Sequence, residues 1–213
     1  MLTGQECEPL NWKKNFIYPN MFRLKTEADG SCFFHAIAKA FFLPYQTERI
    51  NGMPISKKQI IKGFRHDLAA ELDRPFNEDN PKGPCKYDML SRGNLKDFAK
   101  ECPQYRKKSM QKELMSSHAV DNVYNEFVSN ELNKDIYILH REKQDVYITG
   151  DDIDLLYKGR QSIVLIYLEK QGHFELVGLQ NEKGQFDTIF SPDHPFIQAV
   201  KNRIIQKIAV SKN

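Results

Sequence analysis

The run SIVLIYL, residues 162–168, limits the fold more than any other stretch. It is apolar on both faces, so neither can meet water, and such a strand belongs in the middle of a covered sheet. Around it lie other short runs rich in β-branched and aromatic residues: DIYIL, DVYIT, HFELVGL and FDTIF. All read as strands, with NEKGQ as a hairpin-type turn between the last two. Before Asn133 the pattern is different. Residues 32–42 are apolar nearly all round and predict a buried helix, which Pro44 should stop. Ser56 with Gln59 forms a capping box, followed at helical spacing by Ile60, Ile61, Phe64, Leu68 and Leu72. Residues 87–133 predict further polar, Lys-rich helices, broken near Gly93, Pro103 and His118. The piece MFRLKTEA is extended, and SPDHPFIQAVKNRIIQKIAV is an amphipathic helix. Helices first and strands later give an α+β class: a small, mostly antiparallel or mixed sheet packed between helices.

The composition excludes some functions. Among 213 residues, 31 basic side chains face 28 acidic ones, too small an excess to argue for nucleic acid. The longest strongly apolar run is far short of the roughly 20 residues of a membrane span. MLTGQECEPLNWKKNF has no apolar core of a secretory signal. Cys7, Cys32, Cys85 and Cys102 form no CxxC pair, which suits reduced thiols in a cytoplasmic setting. Their spacing with His118 is too irregular for zinc.

One cysteine is placed for chemistry. Cys32 opens the buried helix directly behind Asp29-Gly30-Ser31. A thiol attacks as thiolate, and a helix N-terminus favours negative charge there. A glycine turn lets the amides around residues 29–32 converge on a developing oxyanion. A nucleophilic cysteine also needs a base. His173 opens the strand HFELVGL after Gly172, which leaves the approach open. Glu175 lies on the same strand face two residues on, able to fix the imidazole tautomer. Cys32, His173 and Glu175 therefore make a credible triad. His35, one turn into the helix, reads as a wall residue, and His194 as a helix cap.

The two blocks DGSCFFHAI and GHFELVGL, 141 residues apart from Cys32 to His173, resemble the signature of the ovarian-tumour (OTU) family of deubiquitinating cysteine proteases. The resemblance runs from about residue 20 to 190, and TIFSPDHPFIQ is similar in style to members from large DNA viruses and intracellular bacteria. It implies a papain-like OTU fold, with one catalytic domain over 1–213 and a helical arm at about 56–133. Cys32 would be the nucleophile, His173 the base and Glu175 the third member, where Asp or Asn is more usual. Asp29 would support the oxyanion loop with Gly30 and Ser31. The implied partner is ubiquitin or polyubiquitin, with no metal or organic cofactor, no nucleic acid, no membrane and a monomeric state. Cytoplasmic placement follows, in a host cell for a viral or bacterial effector. Gly172 and Phe174 would line the approach. Asp151, Asp152 and Asp154 would face the basic tail of ubiquitin. Two alternatives are an inactive OTU-like ubiquitin-binding module and a papain-like thiol hydrolase or acyltransferase with another substrate.

Overall fold

The computed structural model describes residues 6–121, 123–148 and 153–211. In chain order its elements are β1 (Cys7–Pro9), β2 (Met21–Leu24), α1 (Cys32–Phe41), α2 (Leu43–Thr47), β3 (Arg49–Ile50), β4 (Met53–Pro54) and α3 (Lys57–Glu71). Then come α4 (Leu95–Glu101), α5 (Lys107–Met115), α6 (Val123–Glu131), β5 (Asp135–His140), β6 (Asp145–Val146) and α7 (Ile153–Leu156). The chain closes with β7 (Ser162–Leu168), β8 (His173–Gln180), β9 (Phe186–Asp187) and α8 (Pro195–Ser211).

SIVLIYL becomes β7, an interior strand between β5 and β8 in a seven-stranded sheet ordered β1-β2-β8-β7-β5-β6, with β9 beside β8. β5 and β7 run parallel, and the other pairs are antiparallel. The period-two alternation of side chains then divides the core. Leu24, Ile136, Ile138, Ile163, Leu165 and Leu176 face α1, α3 and α6. Tyr137, Val164, Ile166 and Val177 face Trp12, Phe16 and the Phe196, Ile197, Val200 and Ile204 side of α8. Each such aliphatic side chain, fully buried, contributes about 1.5–3 kcal/mol. The fold is thus α+β, a mixed sheet between two helical layers. Apolar residues of 56–133, among them Ile60, Leu68, Met110 and Phe127, lie in the same core cluster as α1 and the sheet.

The capping box at Ser56 and Gln59 is formed in both directions and starts α3. Several local expectations change. Pro44 does not simply end α1: it sits in the first turn of α2, where its missing N–H costs nothing. Among the described residues of DVYIT the strand covers β6 alone, with one further bond from the Tyr147 amide to the Ile138 carbonyl, and the Asp145 carboxylate accepts from the Val146 amide and from Arg203 of α8. FDTIF pairs only over β9, with Phe190 making a single bridge to Ser162. The extended N-terminal piece gains a partner strand, β1, that its short length concealed. Among the described residues no helix is long and apolar enough to cross a membrane.

Candidate active site

The loop before α1 is tied down by its own side chains. Asp29 Oδ1 accepts from the Ser31 amide at 2.9 Å, and the Asp29 carbonyl accepts from the Cys32 amide at 3.1 Å. Asp29 Oδ2 lies 3.3 Å from Nε2 of the fully buried His35, whose Nδ1 lies 2.8 Å from the Tyr45 hydroxyl. His35 is therefore the wall residue expected, with the added task of orienting Asp29. The same bonds revise the oxyanion arrangement. The amides of Ser31 and Cys32 are spent inside the loop, and among the described residues those of Asp29 and Gly30 have no acceptor.

Gly30 is required for a different reason from the one expected. It does not adopt a positive φ, but a Cβ there would stand 2.0 Å from the Ser117 carbonyl oxygen. The glycine lets the 116–118 segment press on the loop from behind. Gly30→Ala should therefore cost about 1–3 kcal/mol, since backbone rather than a side chain must yield. Urea melts check it, and unchanged stability would mean that the loop moves freely away from Ser117.

Behind the loop sits a residue that the sequence reading missed. Arg65 of α3 is 2% exposed. Its Nη1 donates to Ser31 Oγ at 2.7 Å, Nε to the Leu114 carbonyl at 2.9 Å, and Nη2 to the Glu113 and His118 carbonyls at 2.9 Å each. Its guanidinium also lies over the Phe34 ring, 4.6 Å from the centroid. This explains why Ser31, at the N-cap position of α1, makes no side-chain bond to the helix: its hydroxyl accepts from Arg65. The sequence held a signal, because Arg65 lies four residues after Ile61, on the apolar stripe of α3.

The thiol meets the far end of the chain. The Phe174 amide donates to Cys32 Sγ at 3.4 Å, which sets the sulfur beside the first residues of β8. His173 and Glu175 are 8% and 5% exposed. His173 Nε2 lies 3.7 Å from Glu175 Oε1 and 3.5 Å from Thr26 Oγ1. Thr26 was not anticipated; its hydroxyl donates to the Phe174 carbonyl at 2.8 Å, anchoring the histidine segment. A proton on Nε2 would be directed at Thr26 Oγ1, with Glu175 just beyond bonding distance, and Nδ1 would then be the basic nitrogen. Gly172, with φ +58° and open space where a Cβ would stand, makes the left-handed turn into β8. The Phe174 ring is half-buried against Phe33 and Tyr167 and serves as a wall.

Electrostatics differ from the expectation for a helix N-terminus. Burial pushes the Cys32 thiol up, outweighing the amides of Phe174 and Phe33 that pull it down. Burial holds His173 below the ordinary histidine value, against the attraction of Glu175 and with a contribution from Arg23. Both shifts favour the neutral form, of the thiol and of the imidazole.

Asp154 is not brought to this place. It lies in α7, before β7 begins at Ser162, whereas Leu168 at the other end of β7 pairs with His173. Seven residues of strand span roughly 20 Å. Asp154 is instead exposed near Arg92, at 3.7 Å. Asp151 and Asp152 lie outside the described residues. His194 does cap its helix, its Nδ1 accepting from the Phe196 amide at 3.1 Å.

A second titratable group, His140 with Glu142 and Glu169, gathers at the C-terminal ends of β5 and β7, the end of β7 that pairs with His173. Nδ1 of His140 accepts from the Lys143 amide at 3.3 Å, which puts the ring proton on Nε2, towards Glu169 at 3.5 Å. In that tautomer the ring offers no free lone pair to a metal.

No family model matches the chain, and no curated protein matches it. Solved structures do. An ovarian tumour (OTU) domain in complex with ubiquitin aligns over 88% of this chain and 84% of its own, at 15% identity and a TM-score of 0.49. The chain is similar to OTU domains. An OTU deubiquitinase from Wolbachia pipientis wMel aligns over 79% of this chain and 96% of its own, at 13% identity and a TM-score of 0.42. The viral OTU domain protease from Qalyub virus aligns over 76% and 94%, at 16% identity and a TM-score of 0.35.

Proposed function

We propose that the chain is a cysteine-dependent deubiquitinase of the OTU type, cleaving ubiquitin from lysine side chains or from polyubiquitin. The observation that carries the reading is the placement of Cys32 Sγ at the Phe174 amide, with His173 adjoining and Glu175 and Thr26 at its Nε2. The paired sequence blocks around Cys32 and His173 supply the substrate class.

In this mechanism His173 Nδ1 takes the Cys32 proton as sulfur attacks the carbonyl of ubiquitin's C-terminal glycine. The carbonyl electron pair moves to oxygen, facing the free amides of Asp29 and Gly30. Collapse breaks the C–N bond, and the imidazolium returns its proton to the departing lysine amine. A thioester remains. Water, deprotonated by His173, attacks it, and ubiquitin's carboxylate leaves as the thiol is restored. No step calls on a cofactor.

The test is hydrolysis of ubiquitin bearing a C-terminal amide-linked fluorophore, followed against pH. His173 must be neutral to act as base, and burial lowers its pKa, so activity should persist as pH falls. The acid limb of kcat/KM should lie below about 6.5, the unperturbed histidine value. The limb belongs to the coupled pair. An acid limb above 7 would contradict a buried neutral imidazole as base. The burial of Cys32, 4% exposed, favours a second reading, a module that binds ubiquitin without cutting it. That reading predicts binding without fluorophore release.

A further inference from the structure

We propose that Arg23 and Glu8 are positioning residues for the triad: a two-strand clasp that holds the Glu175 carboxylate where His173 can use it. The proposal rests on the reading of Cys32 and His173 as the reacting pair. It goes beyond that reading by assigning the support of the third member to residues outside both sequence blocks.

Sheet register builds the clasp. Glu8 of β1 stands directly opposite Arg23 of β2, and Arg23 stands opposite Val177 of β8. Glu175, two residues before Val177, is its neighbour on the same face and the diagonal neighbour of Arg23. Arg23 is 8% exposed and uses both ends of its guanidinium. Nη1 donates to Glu175 Oε2 at 3.1 Å, while Nε donates to Glu8 Oε2 at 2.9 Å and Nη2 joins the same oxygen. Glu8 is steadied in turn by Arg141, whose Nη2 donates to Oε1 at 3.1 Å. Four side chains of alternating charge thus run from Glu175 to Arg141.

The distances show which contact fixes the carboxylate. Glu175 Oε1 is 3.7 Å from His173 Nε2, beyond a hydrogen bond, whereas Oε2 is bonded to Arg23. The imidazole is therefore not what immobilises Glu175; Arg23 is. A glutamate has one more rotatable bond than an aspartate, and the charge-assisted bond from Nη1 restricts that freedom, while the Nε–Nη2 edge of the guanidinium is itself anchored on Glu8. Glu8 has a second effect. Arg23 places a positive charge near His173 that opposes the imidazolium, and the Glu8 carboxylate offsets it. The charged groups that act on His173 are Glu175 on its own strand, Arg23 on β2 and Asp29 in the loop before α1, and Cys32 of α1 lies at the neighbouring Phe174 amide.

This makes a prediction of opposite signs. Arg23→Met removes the opposing charge, so His173 should protonate at higher pH. Glu8→Gln leaves Arg23 less neutralised, so His173 should protonate at lower pH. The experiment is alkylation of Cys32 by iodoacetamide across pH, which needs no ubiquitin, with His173→Ala as control. It is paired with kcat and KM on the ubiquitin fluorophore substrate. The expected result is acid limbs displaced in opposite directions, with kcat lowered about tenfold in Arg23→Met and KM little changed. In a Glu175→Gln background Arg23→Met should lower kcat no further, because the two position the histidine as a unit, while its direct charge effect on the acid limb remains. Shifts of the same sign, no shift, or a full kcat loss from Arg23→Met in the Glu175→Gln background would overturn the clasp. Should Arg23→Met fail to fold, the sign of the Glu8→Gln displacement decides the matter. A His173→Ala profile identical to that of the unaltered protein would instead remove the underlying cysteine–histidine pair, and the clasp with it.

Discussion

Cys32→Ala should abolish cleavage of ubiquitin conjugates, and His173→Ala should lower it by about 10⁴-fold, with both proteins folded. The size of the effect follows from the resting state. Burial keeps the Cys32 thiol protonated, so little thiolate exists at neutral pH without a base to take the proton. A preformed thiolate–imidazolium pair would leave a histidine variant substantial reactivity; a neutral pair does not. Single-turnover assays beside urea melts check both. A His173→Ala protein retaining a tenth of the activity would show that another group serves as base.

The second large effect is structural. Arg65→Met should destabilise the fold by about 3 kcal/mol or more, because buried carbonyls would lose their donor. Those of Glu113, Leu114 and His118 and the Ser31 hydroxyl all accept from this one guanidinium. Arg65→Lys keeps the charge but cannot reproduce the fork. It should recover part of the stability while leaving Ser31 less well held. Equilibrium urea unfolding reads the first, and kcat of Arg65→Lys reads the second. A Met variant within 0.5 kcal/mol of the parent, roughly the spread of a neutral surface change, would mean that water replaces the arginine at every acceptor.

What could be read in the sequence was governed by how local its cause is. Helix α3 begins where its capping box says, because the box is made within four residues. SIVLIYL is an interior strand because its own pattern allows no other place. Cys32, His173 and Glu175 could be singled out because turn, helix and strand parity are also local. Long-range packing was hidden. Gly30 looked like a flexible turn, and its actual constraint comes from Ser117, far along the chain. Ser31 looked like part of an oxyanion loop, and its hydroxyl accepts from Arg65 on α3. Asp154 was expected at the entrance from its nearness in sequence to β7, but nearness to the start of a strand means distance from its end. The helix N-terminus argued for a depressed thiol pKa, and burial, which only tertiary structure creates, reversed the direction.

The central claim is that Cys32 is a nucleophile served by His173 and directed at ubiquitin's C-terminus. Its most direct test is incubation with ubiquitin carrying a C-terminal electrophile, with intact mass and peptide mapping of the product. The expected product is an adduct of one ubiquitin on Cys32, absent in Cys32→Ala and much slower to form in His173→Ala. A folded protein that forms no adduct, or forms it on Cys7, Cys85 or Cys102, would contradict it.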